Sequence, residues 1–133
     1  MPRPTSALII DDEPHVRTFL RLLLKEVGIN TTWEAADGEQ GLTFIVEHDP
    51  ELILLDVNMP VMNGLELLAN LKAANPNLPV IMVSSESAMK TVLEAVRLGA
   101  SGYVLKHSPK EEALKTLREA LEQIEAQDEA EAE

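Results

Sequence analysis

An α/β fold built on one doubly wound parallel sheet is predicted by three observations on this 133-residue chain. Short apolar runs alternate strictly with longer stretches of helical period, five of each. Four of the five runs are nearly continuous hydrophobes, as in parallel strands covered on both faces, and the fifth is polar enough for a sheet edge. With right-handed crossovers and the polar strand second, the order 2-1-3-4-5 puts that strand at an edge and leaves strands 1 and 3 adjacent in the middle. This is the flavodoxin-like order, in which ligands bind at the carboxyl ends of the strands where the order reverses.

Each element has its own signal. "ALII", residues 7–10, is the first strand. Pro14 suits the first turn of the helix after Asp12, and Val16, Phe19, Leu20, Leu23 and Val27 share one face of it. "TTWEAA", 31–36, is the polar edge strand, and "LILL", 52–55, the third strand. Leu65, Leu68 and Leu71 give the third helix a face to bury, and Pro76 and Pro79 separate that helix from "VIMV", 80–83. "LGASG", 98–102, supplies glycines for a tight turn into "YVL", 103–105. Ser108, Pro109 and Glu111 read as a capping box with proline at the first helical position, opening a last helix with Leu114, Leu117, Leu121 and Ile124 on one side. That stripe also has dimer-seam spacing, but it is too short for a coiled coil and is needed to cover the sheet. One domain over residues 5–126 is expected, followed by an acidic, disordered tail at 127–133, because seven acids and no base lie from Glu119 onward.

Composition narrows function. A net charge of −12 repels phosphate backbones and anionic bilayers, so neither nucleic acid nor membrane is an expected partner. No apolar run reaches the ~20 residues of a spanning helix, and the start "MPRPTSALII" lacks a secretory cleavage pattern, so a cytoplasmic location is expected. The absence of cysteine removes disulfides, thiol chemistry and thiolate metal sites, and leaves oxygen or histidine nitrogen to hold any metal.

The acids are placed where they repel. Asp11, Asp12 and Glu13 close the first apolar run and Asp56 closes the third, and on the predicted topology these ends are neighbours. Converging carboxylates need a compensating cation, and hard oxygen donors point to Mg²⁺ or Mn²⁺. Lys106 follows the fifth strand and Ser84 the fourth, so an ammonium and a hydroxyl face the same crevice. Metal, lysine and hydroxyl together suit a phosphoryl group, with Asp56 as the nucleophile that would carry it.

The joint pattern of Asp11-Asp12, Asp56 in "DVNMPVMNG", Ser84-Ser85 and Lys106 in "GASGYVLK" resembles the receiver domain of two-component response regulators over nearly the whole chain. The resemblance implies that Asp56 accepts phosphate from a sensor histidine kinase or a phosphotransfer protein. It implies that Asp11, Asp12, Asp56 and the backbone carbonyl of Asn58 hold Mg²⁺. Ser84 and Tyr103 are similar to the family's switch pair, which re-shapes the surface of helix 4, strand 5 and helix 5, and Pro60 and Gly64 match its loop residues. A downstream protein target or an output domain absent from this chain follows, and homodimerisation on phosphorylation stays open. Such a domain catalyses only its own phosphorylation and dephosphorylation.

Departures from the pattern are specific. Ser84 stands where threonine is commoner, which keeps the hydroxyl. His107 stands where many receivers carry a cis proline, and a cis bond to a non-proline costs ~2.5–4 kcal/mol, so this loop is either strained or differently arranged. "KHSPKEEAL" is closer to receivers of helix-turn-helix regulators. Asn58 and Glu86 occupy positions at which family members tune dephosphorylation.

Singly, these residues have plain structural readings: Asp12 as a helix cap, Lys106 as a solvated strand end, Ser84 as a turn former, Tyr103 as packing. His15 and His48 read as surface residues, His107 as a loop filler, and Met59, Met62 and Met89 as packing. Among other classes, a phosphohydrolase with an aspartyl nucleophile wants a second acid where Asn58 stands. A flavodoxin-type cofactor binder wants a phosphate loop where "DDEPH" stands. A receiver-shaped scaffold that is never phosphorylated remains a third alternative.

Overall fold

Alternation within each apolar run decides which side of the sheet each residue feeds. The computed structural model describes residues 3–86 and 88–132, with side chains described as far as Gln127. The elements run β1 (Ser6–Ile10), α1 (Pro14–Glu26), β2 (Thr31–Ala35), α2 (Gly38–His48), β3 (Ile53–Asp56), α3 (Gly64–Ala74), β4 (Val80–Ser84), α4 (Met89–Arg97), β5 (Gly102–Leu105) and α5 (Lys110–Ala132). All neighbouring strands are parallel, and their order is β2-β1-β3-β4-β5, as the sequence predicts.

Ala7, Ile9, Leu54, Ile81 and Val83 point to one side, where α1 and α5 bring Val16, Leu20, Leu23, Leu114, Leu117, Leu121 and Ile124. Leu8, Ile10, Ile53, Leu55, Val80 and Met82 point to the other, against Leu67, Leu68 and Leu71 of α3 and Ala95 of α4. The central strands are therefore apolar at every position because both faces are roofed. At about 1.5–3 kcal/mol for each fully buried Leu, Ile or Val, these two layers supply the dominant stabilisation. β2 has one strand neighbour and leaves Thr31 and Glu34 exposed, which explains its polarity. On α3 the buried face is Leu67, Leu68 and Leu71, with Leu65 half-buried at its edge.

Helix ends differ from expectation in three places. At α1 the N-cap is Glu13 rather than Asp12, with Pro14 as the first helical residue, and the Glu13 side chain makes no capping bond. At α5 the Ser108 hydroxyl donates back to the Leu105 carbonyl at 2.7 Å, and the Pro109 carbonyl accepts the first helical bond from Ala113 at 3.0 Å. The proline thus sits one step before the helix. The helical backbone continues to Ala132, through most of the tail expected to be disordered, because Ala, Glu and Gln are strong helix formers; Glu133 lies outside the described residues. Gly99, at φ 99°, makes the left-handed turn read from "LGASG".

Candidate functional site

Strand pairing alone brings the acids together. Ile10 is in register with Leu55, so the next residues, Asp11 and Asp56, meet across the ends of β1 and β3. Both are about 1% exposed. Asp12, one residue on, is exposed at the rim, and one carboxylate oxygen from each of Asp11, Asp12 and Asp56 lies within 4.8 Å of the others. The sharp return after β3 is closed by the Gly64 N–H donating to the Val57 carbonyl at 2.8 Å. A Cβ on Gly64 would run into the Asp56 carbonyl oxygen, so only glycine permits this approach. In the same loop Val61 holds φ 72° while fully exposed, a strained conformation for a β-branched residue.

Lys106 enters from the far side of the sheet. Its N–H donates to the Ser84 carbonyl at 2.9 Å, continuing the β4–β5 ladder and aiming the side chain inward. The ammonium is 3.1 Å from Asp11 Oδ2 and 3.1 Å from Asp56 Oδ2, and it donates to Glu13 Oε2 at 2.9 Å. Three carboxylates thus surround one ammonium. Burial and the adjacent Asp11 charge push the Asp56 carboxyl up to about 6, against the pull of Lys106. Burial likewise raises Asp11. For Lys106, burial works against the charge, but contacts with Glu13, Asp11 and Asp56 outweigh it and hold the ammonium protonated above the ordinary lysine range.

Asp11 Oδ1 accepts the Glu13 N–H at 2.8 Å and Asp56 Oδ1 the Asn58 N–H at 3.2 Å. The second oxygens, Asp11 Oδ2 and Asp56 Oδ2, are buried with an ion-pair partner but no aligned hydrogen-bond donor. Lone pairs left over on buried carboxylates, in a donor set made of oxygen, suit a hard divalent cation such as Mg²⁺ or Mn²⁺. Asp11, Asp12 and Asp56 fit such an ion; Asn58 sits on the adjoining loop.

Ser84 is fully buried at the end of β4, and its hydroxyl accepts the Glu86 N–H at 2.9 Å. Tyr103, half-buried on β5, donates to the Glu86 carbonyl at 2.7 Å; burial raises its phenol above the ordinary range. The Glu86 carboxylate also accepts from Asn58 Nδ2 at 3.3 Å and from the Thr91 hydroxyl at 3.1 Å. Ser84, Tyr103, Asn58 and α4 therefore meet at one residue. No cis peptide occurs among the described residues, so the loop at His107 is arranged differently from a cis-proline loop. His15, His48 and His107 are exposed, with His48 stacked on Trp33 at a centroid distance of 4.8 Å. Met59 and Met62 pack as expected, whereas Met89 is exposed at the start of α4. The partner that sequence reasoning missed is Glu13, whose role is set by a contact to a residue 93 positions away.

Fold and crevice together define a flavodoxin-like α/β domain with an acidic, oxygen-lined site where the strand order reverses. The sequence carries this further: the model of the response regulator receiver domain family matches residues 7–124, so the chain belongs to that family. It is 40% identical over 118 residues to the nitrate/nitrite response regulator protein NarL of Escherichia coli, covering 88% of this chain and 55% of NarL. The chain thus spans about half the length of that relative. It is 37% identical over 119 residues to the chemotaxis protein CheY-3 of Vibrio cholerae, covering 88% of both. Among solved structures, a CheY-like receiver domain protein from Methanospirillum hungatei JF-1 superposes with a TM-score of 0.79 at 26% identity, covering 93% of this chain and 98% of that one. NtrX from Brucella abortus gives a TM-score of 0.85 at 28% identity, covering 99% of this chain and 29% of that one. No helix among the described residues is long and apolar enough to cross a membrane.

Proposed function

We propose that this receiver domain accepts a phosphoryl group on Asp56 from a phosphohistidine of a sensor histidine kinase or phosphotransfer protein, with Mg²⁺ as the supporting ion. The observation that carries the reading is the pair of buried carboxylates, Asp11 and Asp56, facing one ammonium at 3.1 Å. In the transfer, a carboxylate oxygen of Asp56 bonds to phosphorus as the P–N bond breaks. The electron pair stays on the imidazole nitrogen, which leaves neutral when its other nitrogen is protonated. Lys106 is already in place to take charge from the phosphoryl oxygens, and Ser84 has a hydroxyl that can donate to them. A bound divalent ion, held by Asp11, Asp12, Asp56 and the Asn58 carbonyl, would neutralise further negative charge at the same point.

Ser84 and Tyr103 are the proposed switch pair. Both are anchored on the Glu86 backbone, so turning the Ser84 hydroxyl toward phosphate frees the Glu86 N–H and disturbs the Tyr103 anchor. The nearby surface is suited to respond, since Met89, Leu93 and Val96 on α4 and Leu105 on β5 are exposed apolar residues. A protein target, or an output domain carried elsewhere, would read that surface.

Incubation with acetyl phosphate and Mg²⁺, followed by intact mass spectrometry, tests the reading. One phosphoryl adduct is expected on the wild type and none on Asp56→Asn or in the presence of a chelator. An undiminished adduct on Asp56→Asn would place the nucleophile elsewhere.

A further inference from the structure

Lys106 faces three carboxylates but has its aligned hydrogen bond with one, and that one lies outside the acids that could hold a metal. Glu13 Oε2 accepts from Nζ at 2.9 Å, while Asp11 Oδ2 and Asp56 Oδ2 stand at 3.1 Å without alignment. The chain frees Glu13 for this contact. It is the N-cap of α1, with extended φ −98° and ψ 112°, and its side chain makes no capping bond. Its backbone is fixed by the N–H bond to Asp11 Oδ1 at 2.8 Å, and the Asp11 carbonyl is held in turn by Arg17 Nη1 at 2.6 Å.

The pair is unequal in a useful way. The Lys106 side chain is 6% exposed and that of Glu13 is 41% exposed. The carboxylate can return to water at small cost, whereas the ammonium cannot. We propose that Glu13 is a positioning residue, keeping the hydrogen bond of the Lys106 ammonium directed to itself until a phosphoryl group on Asp56 offers better acceptors beside it. This rests on the phosphoacceptor reading above. A phosphoryl group brings roughly two negative charges and three strong acceptor oxygens. Against it, Glu13 offers a single charge already half in water, so the exchange runs toward phosphate. Glu13 then acts as a competitor that lowers the domain's affinity for the phosphoryl state.

Beryllofluoride, a phosphoryl mimic, tests this by NMR titration in saturating Mg²⁺, so that any change in metal affinity drops out. Glu13→Gln and Glu13→Asp should each bind the mimic about two- to fivefold more tightly than the wild type, the range set by a partly exposed ion pair. Glu13→Asp keeps the charge but withdraws it by one methylene. A gain in Glu13→Gln alone would therefore mean a general field effect and overturn the proposal. In a Lys106→Met background the Glu13→Gln gain should vanish; a gain that persists there also overturns it. Should Lys106→Met not fold, the Glu13→Asp comparison decides. Wild-type protein that ignores beryllofluoride would overturn the phosphoacceptor reading and this inference with it. Normal wild-type binding with unchanged or weaker binding in Glu13→Gln would overturn the inference alone.

Discussion

Replacing Asp56 with asparagine should stabilise the metal-free protein, although it removes the residue on which the proposed chemistry depends. Asp56 is 1% exposed beside Asp11, and its carboxyl is raised from 3.8 to about 6. At about 1.4 kcal/mol per unit, that shift corresponds to roughly 3 kcal/mol of strain in the ionised form. An asparagine amide cannot satisfy all its hydrogen bonds there and gives back about 1–2 kcal/mol, leaving a net gain of about 1–2 kcal/mol. The sign with pH follows from the raised value. A carboxyl that binds its proton more tightly when folded favours folding below its unfolded pKa near 3.8, and that advantage is lost as pH rises through about 6. The gain of Asp56→Asn over wild type should therefore be full at pH 7.5 and shrink toward pH 4.5. Urea unfolding followed by far-UV circular dichroism, with a chelator present, reads both midpoints. A variant less stable than wild type at pH 7.5, or a difference that does not change with pH, would refute the reasoning.

Other substitutions probe the same region. Lys106→Met leaves two buried carboxylates without their cation and should cost about 3–5 kcal/mol in chelator, part of it recovered by adding Asp56→Asn; additive urea midpoints would show that the three groups do not interact. Gly64→Ala drives a Cβ into the Asp56 carbonyl and should cost about 3 kcal/mol or more, so a melting temperature unchanged from wild type would contradict the close approach. Val61→Gly relieves a β-branched residue at φ 72° and should stabilise by about 0.5–1 kcal/mol, after allowing for glycine's extra unfolded-state entropy; a loss of stability in urea would count against strain at this loop.

What could be read from sequence was whatever is periodic or local. Continuous apolar runs gave the strands to within a residue or so, because β1, β3 and β4 are roofed on both sides and every position must be apolar. The polarity of β2 gave the edge, and with it the adjacency of β1 and β3. Asp11, Asp12, Asp56, Ser84 and Lys106 were visible for the same reason: each follows a strand that the pattern had already placed. Less visible were features decided by geometry across the chain. The capping box at Ser108 failed because the hydroxyl found the Leu105 carbonyl in the preceding turn, a choice that residue types alone do not reveal. The sequence sets Glu13 among the acids without matching it to Lys106, since nothing in the spacing says which of three consecutive acids turns toward β5. Glu86 stands out in the sequence by position alone, and its four bonds to Ser84, Tyr103, Asn58 and Thr91 emerge only when β3, β4, β5 and α4 are in place.

The unfavourable features of this domain gather at one end of the sheet. Repelling carboxylates, a raised Asp56, a valine at positive φ and a glycine pressed on a backbone carbonyl all lie at the carboxyl ends of β1 and β3 or in the loop that follows. Ile9, Ile10, Ile53, Leu54 and Leu55, at most 1% exposed on the same two strands, contribute about 1.5–3 kcal/mol each and outweigh a local penalty of a few kcal/mol. Selection for stability alone would replace Asp56 with an uncharged side chain and Val61 with glycine, both within reach of a single substitution. Surplus carboxylates around one lysine are relieved by an added divalent cation, and that is the binding under which the proposed phosphoacceptor role would make these costs useful.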